Sequence, residues 1–107
     1  MVWYRVRDLD AARAFYVGTL GFVPRELNAV ERWAVISHGK TAVGLSEGEP
    51  DEEAPVAILD VDDVKAEAGR LRSAGIDVGT VLELHGEIRI VDIFDPDGNR
   101  LQLAEEL

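Results

Sequence analysis

The side chains able to do acid–base or metal chemistry in this sequence are its 21 carboxylates and two histidines, because cysteine is absent. Thiol catalysis, zinc ribbons, iron–sulfur clusters and disulfides are thereby excluded. His85-Gly86-Glu87 sets two potential ligands two positions apart, a spacing that can chelate a divalent ion, in a predicted loop before the penultimate strand. His38 falls in a predicted hairpin turn, where an exposed turn residue is the plainer reading. Asp60 and Asp92 sit at predicted strand positions. Burial there would raise a carboxylate's pKa toward neutrality and suit it to general acid–base work. A salt bridge of either to Arg5 or Arg89 is the alternative. The carboxylates of Asp95-Pro96-Asp97 are turn formers first. No glycine-rich phosphate loop, nucleophile elbow, or serine or threonine beside a base occurs.

Whatever chemistry these residues do must be positioned by a repeat. Val6-Arg7-Asp8-Leu9 is echoed about half a chain later by Val61-Asp62-Asp63-Val64, and Leu20-Gly21-Phe22-Val23 by Ala74-Gly75-Ile76-Asp77. Two copies of one unit are therefore expected. Strand-length apolar stretches at Val2–Val6 and Val56–Val61 each end at an aspartate suited to cap a helix, Asp8 in one and Asp62 or Asp63 in the other. Leu9, Ala12, Tyr16 and Leu20, with Phe15 alongside, make the apolar stripe of the first helix; Val64, Ala68 and Leu71 make that of the second. Gly21 and Gly75 stand where a left-handed residue closes a helix. Strands follow at about Phe22–Leu27, Arg32–Ser37 and Thr41–Ser46, then at about Asp77–Leu84, Glu87–Phe94 and Arg100–Ala104. The expected order is βαβββ over residues 1–46, an acidic linker over 47–55 and βαβββ over 56–107, all within one domain.

Charge narrows the partners. Eleven basic residues against 21 acidic ones give a net −10, and both halves are acidic. A phosphate-tracking surface needs the opposite sign, so nucleic acid and anionic membrane are poor partners, whereas a cationic small molecule is a good one. No apolar run approaches the ~20 residues of a membrane span. No basic-then-apolar leader is seen, so the expected location is cytoplasmic.

Val6-x-Asp8-Leu9, Phe15-Tyr16, Leu20-Gly21-Phe22 and Asp95-Pro96-Asp97-Gly98-Asn99-Arg100-Leu101-Gln102-Leu103, in this order and on a half-length repeat, resemble the vicinal oxygen chelate superfamily. This is the glyoxalase / bleomycin resistance protein / extradiol dioxygenase group. The resemblance implies an α+β fold in which two βαβββ units form a cup-shaped, eight-stranded mixed sheet with helices outside, commonly as a homodimer. It also implies, in catalytic members, one divalent metal held in the cup by His, Glu or Gln. The positions so implied are Met1, Gly44 or Ser46 depending on register, Val56 and Gln102. A thioether, a glycine or serine, an isopropyl group and one amide do not make a site for a hard or borderline ion.

Strand alternation then predicts what the cup offers instead. Trp3, Ile58, Ile90, Phe94 and Gln102 should face it, with Arg5, Asp60, Asp92 and Arg100 nearer the mouth and Trp33 joining if its parity allows. Apolar walls, an aromatic platform and a few polar groups suit an organic ligand. The expectation is a metal-independent binder of a drug or metabolite, similar to the bleomycin-resistance branch, with no cofactor. One alternative is a metal-dependent lyase, isomerase or dioxygenase with relocated ligands drawn from His85, Glu87, Glu47 and His38. The other is a vestigial dimerisation module without a pocket.

Overall fold

The computed structural model describes all 107 residues. In strand β1 (Val2–Val6), Tyr4 and Val6 are buried while Trp3 and Arg5 face outward, the alternation of a strand covered on one side. Asp8 caps helix α1 (Leu9–Arg13), its carboxylate accepting from the Ala11 N–H at 3.1 Å. From Ala14 to Thr19 the helix widens to a π-helical turn, closed by a bond from the Leu20 N–H to the Phe15 carbonyl at 3.1 Å. The neighbouring rings of Phe15 and Tyr16 are both buried by it, edge to face at 5.3 Å. Gly21, at φ +83°, then turns the chain into β2 (Val23–Asn28), β3 (Trp33–His38) and β4 (Thr41–Glu47).

The second unit repeats the plan with β5 (Ala57–Asp60), α2 (Val64–Ser73) capped by Asp63, β6 (Asp77–Val78), β7 (Leu82–Leu84), β8 (Ile88–Phe94) and β9 (Arg100–Glu106). The first sheet runs β1-β4-β3-β2 and the second β5-β9-β8-β6, with β7 also on β8. In each, the first strand lies parallel to the last. Three sequence expectations are corrected in detail. The strand anticipated at Asp77–Leu84 is divided into β6 and β7. His38 ends β3 instead of sitting in the turn, and Glu47 is the last residue of β4 instead of linker.

The two units share one core of 21 buried residues, including Tyr4, Phe15, Tyr16, Leu59, Leu71 and Leu101. Tyr4 ties the units at their first strands. Its phenol donates to the Arg100 carbonyl and accepts from the Ala57 N–H at 2.9 Å. Thr41 donates to the Ile58 carbonyl at 2.7 Å and Asn99 to the Arg5 carbonyl at 2.9 Å, two near-symmetric reaches across the same seam. Tyr16 donates to Asp95 at 2.8 Å; burial first, then the Asp95 carboxylate, pushes its phenol far above the ordinary value. That hydroxyl therefore remains a donor at any pH the fold survives. Both helices sit on the shared core, so the opposite faces of both sheets are left open. No helix is long and apolar enough to cross a membrane.

Candidate functional site

The open face of the first sheet is built around Trp3. In register, Trp3 stands beside Gly44 and Gly44 beside Val35, while Trp33 stands beside Ser46. The indole lies flat on Gly44, so closely that a Cβ added there would come within 2.3 Å of Trp3 Cδ2 and Cε3. Gly44 is consequently buried although it belongs to the open face. Trp33 meets Trp3 edge to face, ring centroids 6.2 Å apart and planes at 74°, which settles its parity toward the cup. Trp3 nevertheless keeps 43% of its surface exposed, and Arg5 lies exposed on the same face.

The second sheet offers the polar half. Ile58, 51% exposed, stands beside Gln102, and Gln102 beside Asp92. Gln102 Nε2 donates to Asp92 Oδ1 at 3.2 Å and Arg100 Nη1 to Asp92 Oδ2 at 3.3 Å. The salt-bridge partner of Asp92 is thus Arg100, not Arg5 or Arg89; Arg89 pairs with Glu83 and Glu105. Phe94 stands beside Arg100 and lines a cleft of about 410 Å³ with the acidic linker at Asp51–Glu53. Asp60 does not join Asp92. It lines a separate cleft of about 610 Å³ with His38, Asp62 and Arg70. Trp3, Trp33, Ile58 and Gln102 line none of the four main clefts of the single chain.

The register also decides which first-unit residue matches Gln102. Gln102 partners Ile58 as Gly44 partners Trp3, so the matching position is Gly44 and not Ser46. The four positions that the resemblance implies as metal donors are therefore Met1, Gly44, Val56 and Gln102, with an indole laid over one of them. These residues do not fit a divalent ion. Nor do the relocated ligands of the alternative reading, His85, Glu87, Glu47 and His38, come together within the chain. His85 and Glu87 are exposed around the left-handed turn at His85-Gly86, and the His38 ring packs against Phe22 at 5.4 Å. Within the chain no three His, Asp or Glu side chains come together as a metal site.

Glu47 does different work, on the helix side of its strand. Its carboxylate accepts from the Leu9 N–H at 2.9 Å, at the start of α1, and from Arg32 at 2.9 Å. Glu105 repeats this in the second unit, accepting from the Val64 N–H at 3.0 Å and from Arg89 at 3.4 Å. The pairing of Leu45-Ser46-Glu47 with Leu103-Ala104-Glu105 is the part of the repeat that sequence reading missed. The Arg32 hydrogen bond, then the Leu9 amide, holds the Glu47 carboxyl below the ordinary 4.5. A lowered folded pKa stabilises above the unfolded value, and the contribution disappears as pH falls through the folded one. Glu47→Gln is accordingly expected to be less stable than the parent at neutral pH, with the difference shrinking below about pH 4. Urea melts at the two pH values check this; a gap that persists undiminished in acid would refute the charged role.

Comparison with known proteins agrees with this architecture. The family model described as Glyoxalase/Bleomycin resistance protein/Dioxygenase superfamily matches residues 1–103. Among curated proteins none matches significantly. An integron cassette protein from the mobile metagenome of Halifax Harbour sewage outfall superposes with a TM-score of 0.85 at 21% identity, covering 97% of this chain and 94% of that one. TnmS3, an antibiotic binding protein from Streptomyces sp. CB03234, does so with a TM-score of 0.74 at 26% identity, covering 100% and 95%. Lactoylglutathione lyase from Agrobacterium tumefaciens gives 0.76 at 23% identity, covering 96% and 89%.

Proposed function

Because the chain belongs to the Glyoxalase/Bleomycin resistance protein/Dioxygenase superfamily, we propose that it is one of the members that bind a small organic molecule without a metal. The observation that carries this reading is the Trp3 indole lying over Gly44, at one of the positions where the superfamily's chelate chemistry would need a donor. The ligand is held rather than transformed. Trp3 and Trp33 supply apolar and aromatic contact, while Asp92, oriented by Gln102 and Arg100, supplies a hydrogen-bond acceptor of fixed direction. The net charge of −10 favours a cationic guest by raising its local concentration. The similarity to an antibiotic binding protein fits this class of role.

A second copy of the chain completes the site. Val23 on the first sheet and Leu82 and Leu84 on the second are apolar side chains left exposed on the open faces, beside the Trp3 and Ile58 surface. A homodimer would cover them and turn shallow faces into an enclosed pocket.

Metal content after loading tests the reading most directly. Tag-free protein incubated with nickel, zinc, manganese or iron(II) and desalted should retain far less than one ion per chain. A thermal-shift panel of cationic antibiotics and aromatic metabolites should then show a stabilising ligand. At about a hundred times its Kd such a ligand adds about 2.7 kcal/mol. Near-stoichiometric metal would replace this reading with chelate catalysis, and a panel without any shift would leave the dimerisation module.

A further inference from the structure

Gly44 lies in the middle of β4, paired on both sides, where a glycine costs conformational entropy and offers no side chain to the sheet. Its backbone does not demand it. The glycines with left-handed φ are Gly21, Gly39, Gly75, Gly86 and Gly98, and Gly44 is not among them. The one thing its missing Cβ provides is room, and the Trp3 rings occupy that room at 2.3–2.6 Å from where the Cβ would be. Any larger residue would lift the indole off the sheet or swing it aside.

We infer that Gly44 is a positioning residue that seats Trp3 as a flat-lying platform, and that the site therefore selects planar aromatic cations over flexible ones. This inference rests on the small-molecule reading above and narrows its ligand class. An indole pressed against the strand has its inner face used and its outer face free. Trp33, its ring centre 6.2 Å away and its plane at 74°, stands beside the indole. A planar ring laid on Trp3 parallel to the sheet keeps van der Waals contact across its whole area, which a polyamine or a puckered sugar cannot do. A positive charge on such a ring gains from the indole face and from the acidic field together. Gln102, at the matching position of the second unit, stands beside Ile58 and not beside an aromatic ring.

The test compares proflavine, a planar cation, with spermine, a flexible one, on the parent protein and on Gly44→Ala, Trp3→Ala and the double variant. The parent should bind proflavine at least tenfold more tightly than spermine. Gly44→Ala should lose tenfold or more in proflavine affinity and change the tryptophan emission, with circular dichroism unchanged. The double variant should bind as Trp3→Ala alone does and melt no lower than it, because the atoms that crowd an added methyl are those of the indole. Proflavine affinity surviving Gly44→Ala would overturn the positioning role. So would a further loss on adding Gly44→Ala to Trp3→Ala. Binding of spermine but not proflavine would overturn the platform and leave the small-molecule reading standing. Binding of neither, together with a thermal-shift panel without any shift, would remove both.

Discussion

Replacing Asp95 by alanine is expected to lower the unfolding free energy by about 3–5 kcal/mol, a large part of what a domain this size possesses. Asp95 is 5% exposed, and its carboxylate accepts four hydrogen bonds. They come from the Asp97 N–H at 2.9 Å, the Asn99 N–H at 2.8 Å, the Asn99 side-chain amide at 2.9 Å and the Tyr16 hydroxyl at 2.8 Å. Truncation leaves these donors with nothing to bond and little water to reach, which costs more than the bonds themselves contribute. The loss also spreads across the seam, because Asn99 holds the Arg5 carbonyl and Tyr16 belongs to the first unit's helix. Tyr16→Phe removes one of the four donors and should cost about 1–2 kcal/mol. Urea unfolding measures both variants. A cost below 1 kcal/mol for Asp95→Ala would mean that the network is not what joins the units.

The second large effect is expected from Trp3→Ala, on binding instead of stability. A central, rigid aromatic anchor typically accounts for about 2 kcal/mol or more of a binding free energy, roughly a thirtyfold change in Kd. Trp3 has that character, with one ring face bedded on Gly44 and Trp33 packed against it at 6.2 Å between ring centres. Its 43% exposure means that truncation opens no internal cavity, so the melting temperature should move little. Isothermal titration with a ligand from the thermal-shift panel, beside a thermal melt, separates the two effects. Affinity within threefold of the parent would remove Trp3 from the binding surface. Asp92→Asn offers a contrasting signature. It keeps the shape and removes the charge, so cationic ligands should weaken while neutral analogues hold.

How far the sequence could carry the site is clearest at three positions. The cup-facing parity of Trp3, Ile58, Asp92, Phe94 and Gln102 was legible, because a strand covered on one side alternates with a period of two and an error of one residue would bury charges. Whether Gly44 or Ser46 matched Gln102 was not legible, because register between strands is a property of the pairing and both residues lie on the same face. Glu47 was misplaced for a related reason. It was read as the first residue of the linker, because the Leu9 amide and Arg32 that claim its carboxylate and extend the strand to it are distant in sequence.

Local patterns were enough for the larger plan. The Asp8 cap, a second cap at Asp62 or Asp63, the turn at Gly21 and the apolar stripes of the helices each depend on residues within a few positions of one another; the structure chose Asp63. They pointed to two βαβββ units, and the family resemblance added the cup. Tertiary structure alone decided what that cup became. An indole can bed on a glycine some forty residues away only when parallel pairing of β1 and β4 brings Trp3 beside Gly44. Likewise Asp92 acquires its direction only when β8 and β9 set it between Gln102 and Arg100. Such contacts have no local signature, because the energy that selects them comes from packing across the sheet and not from any single segment's preference.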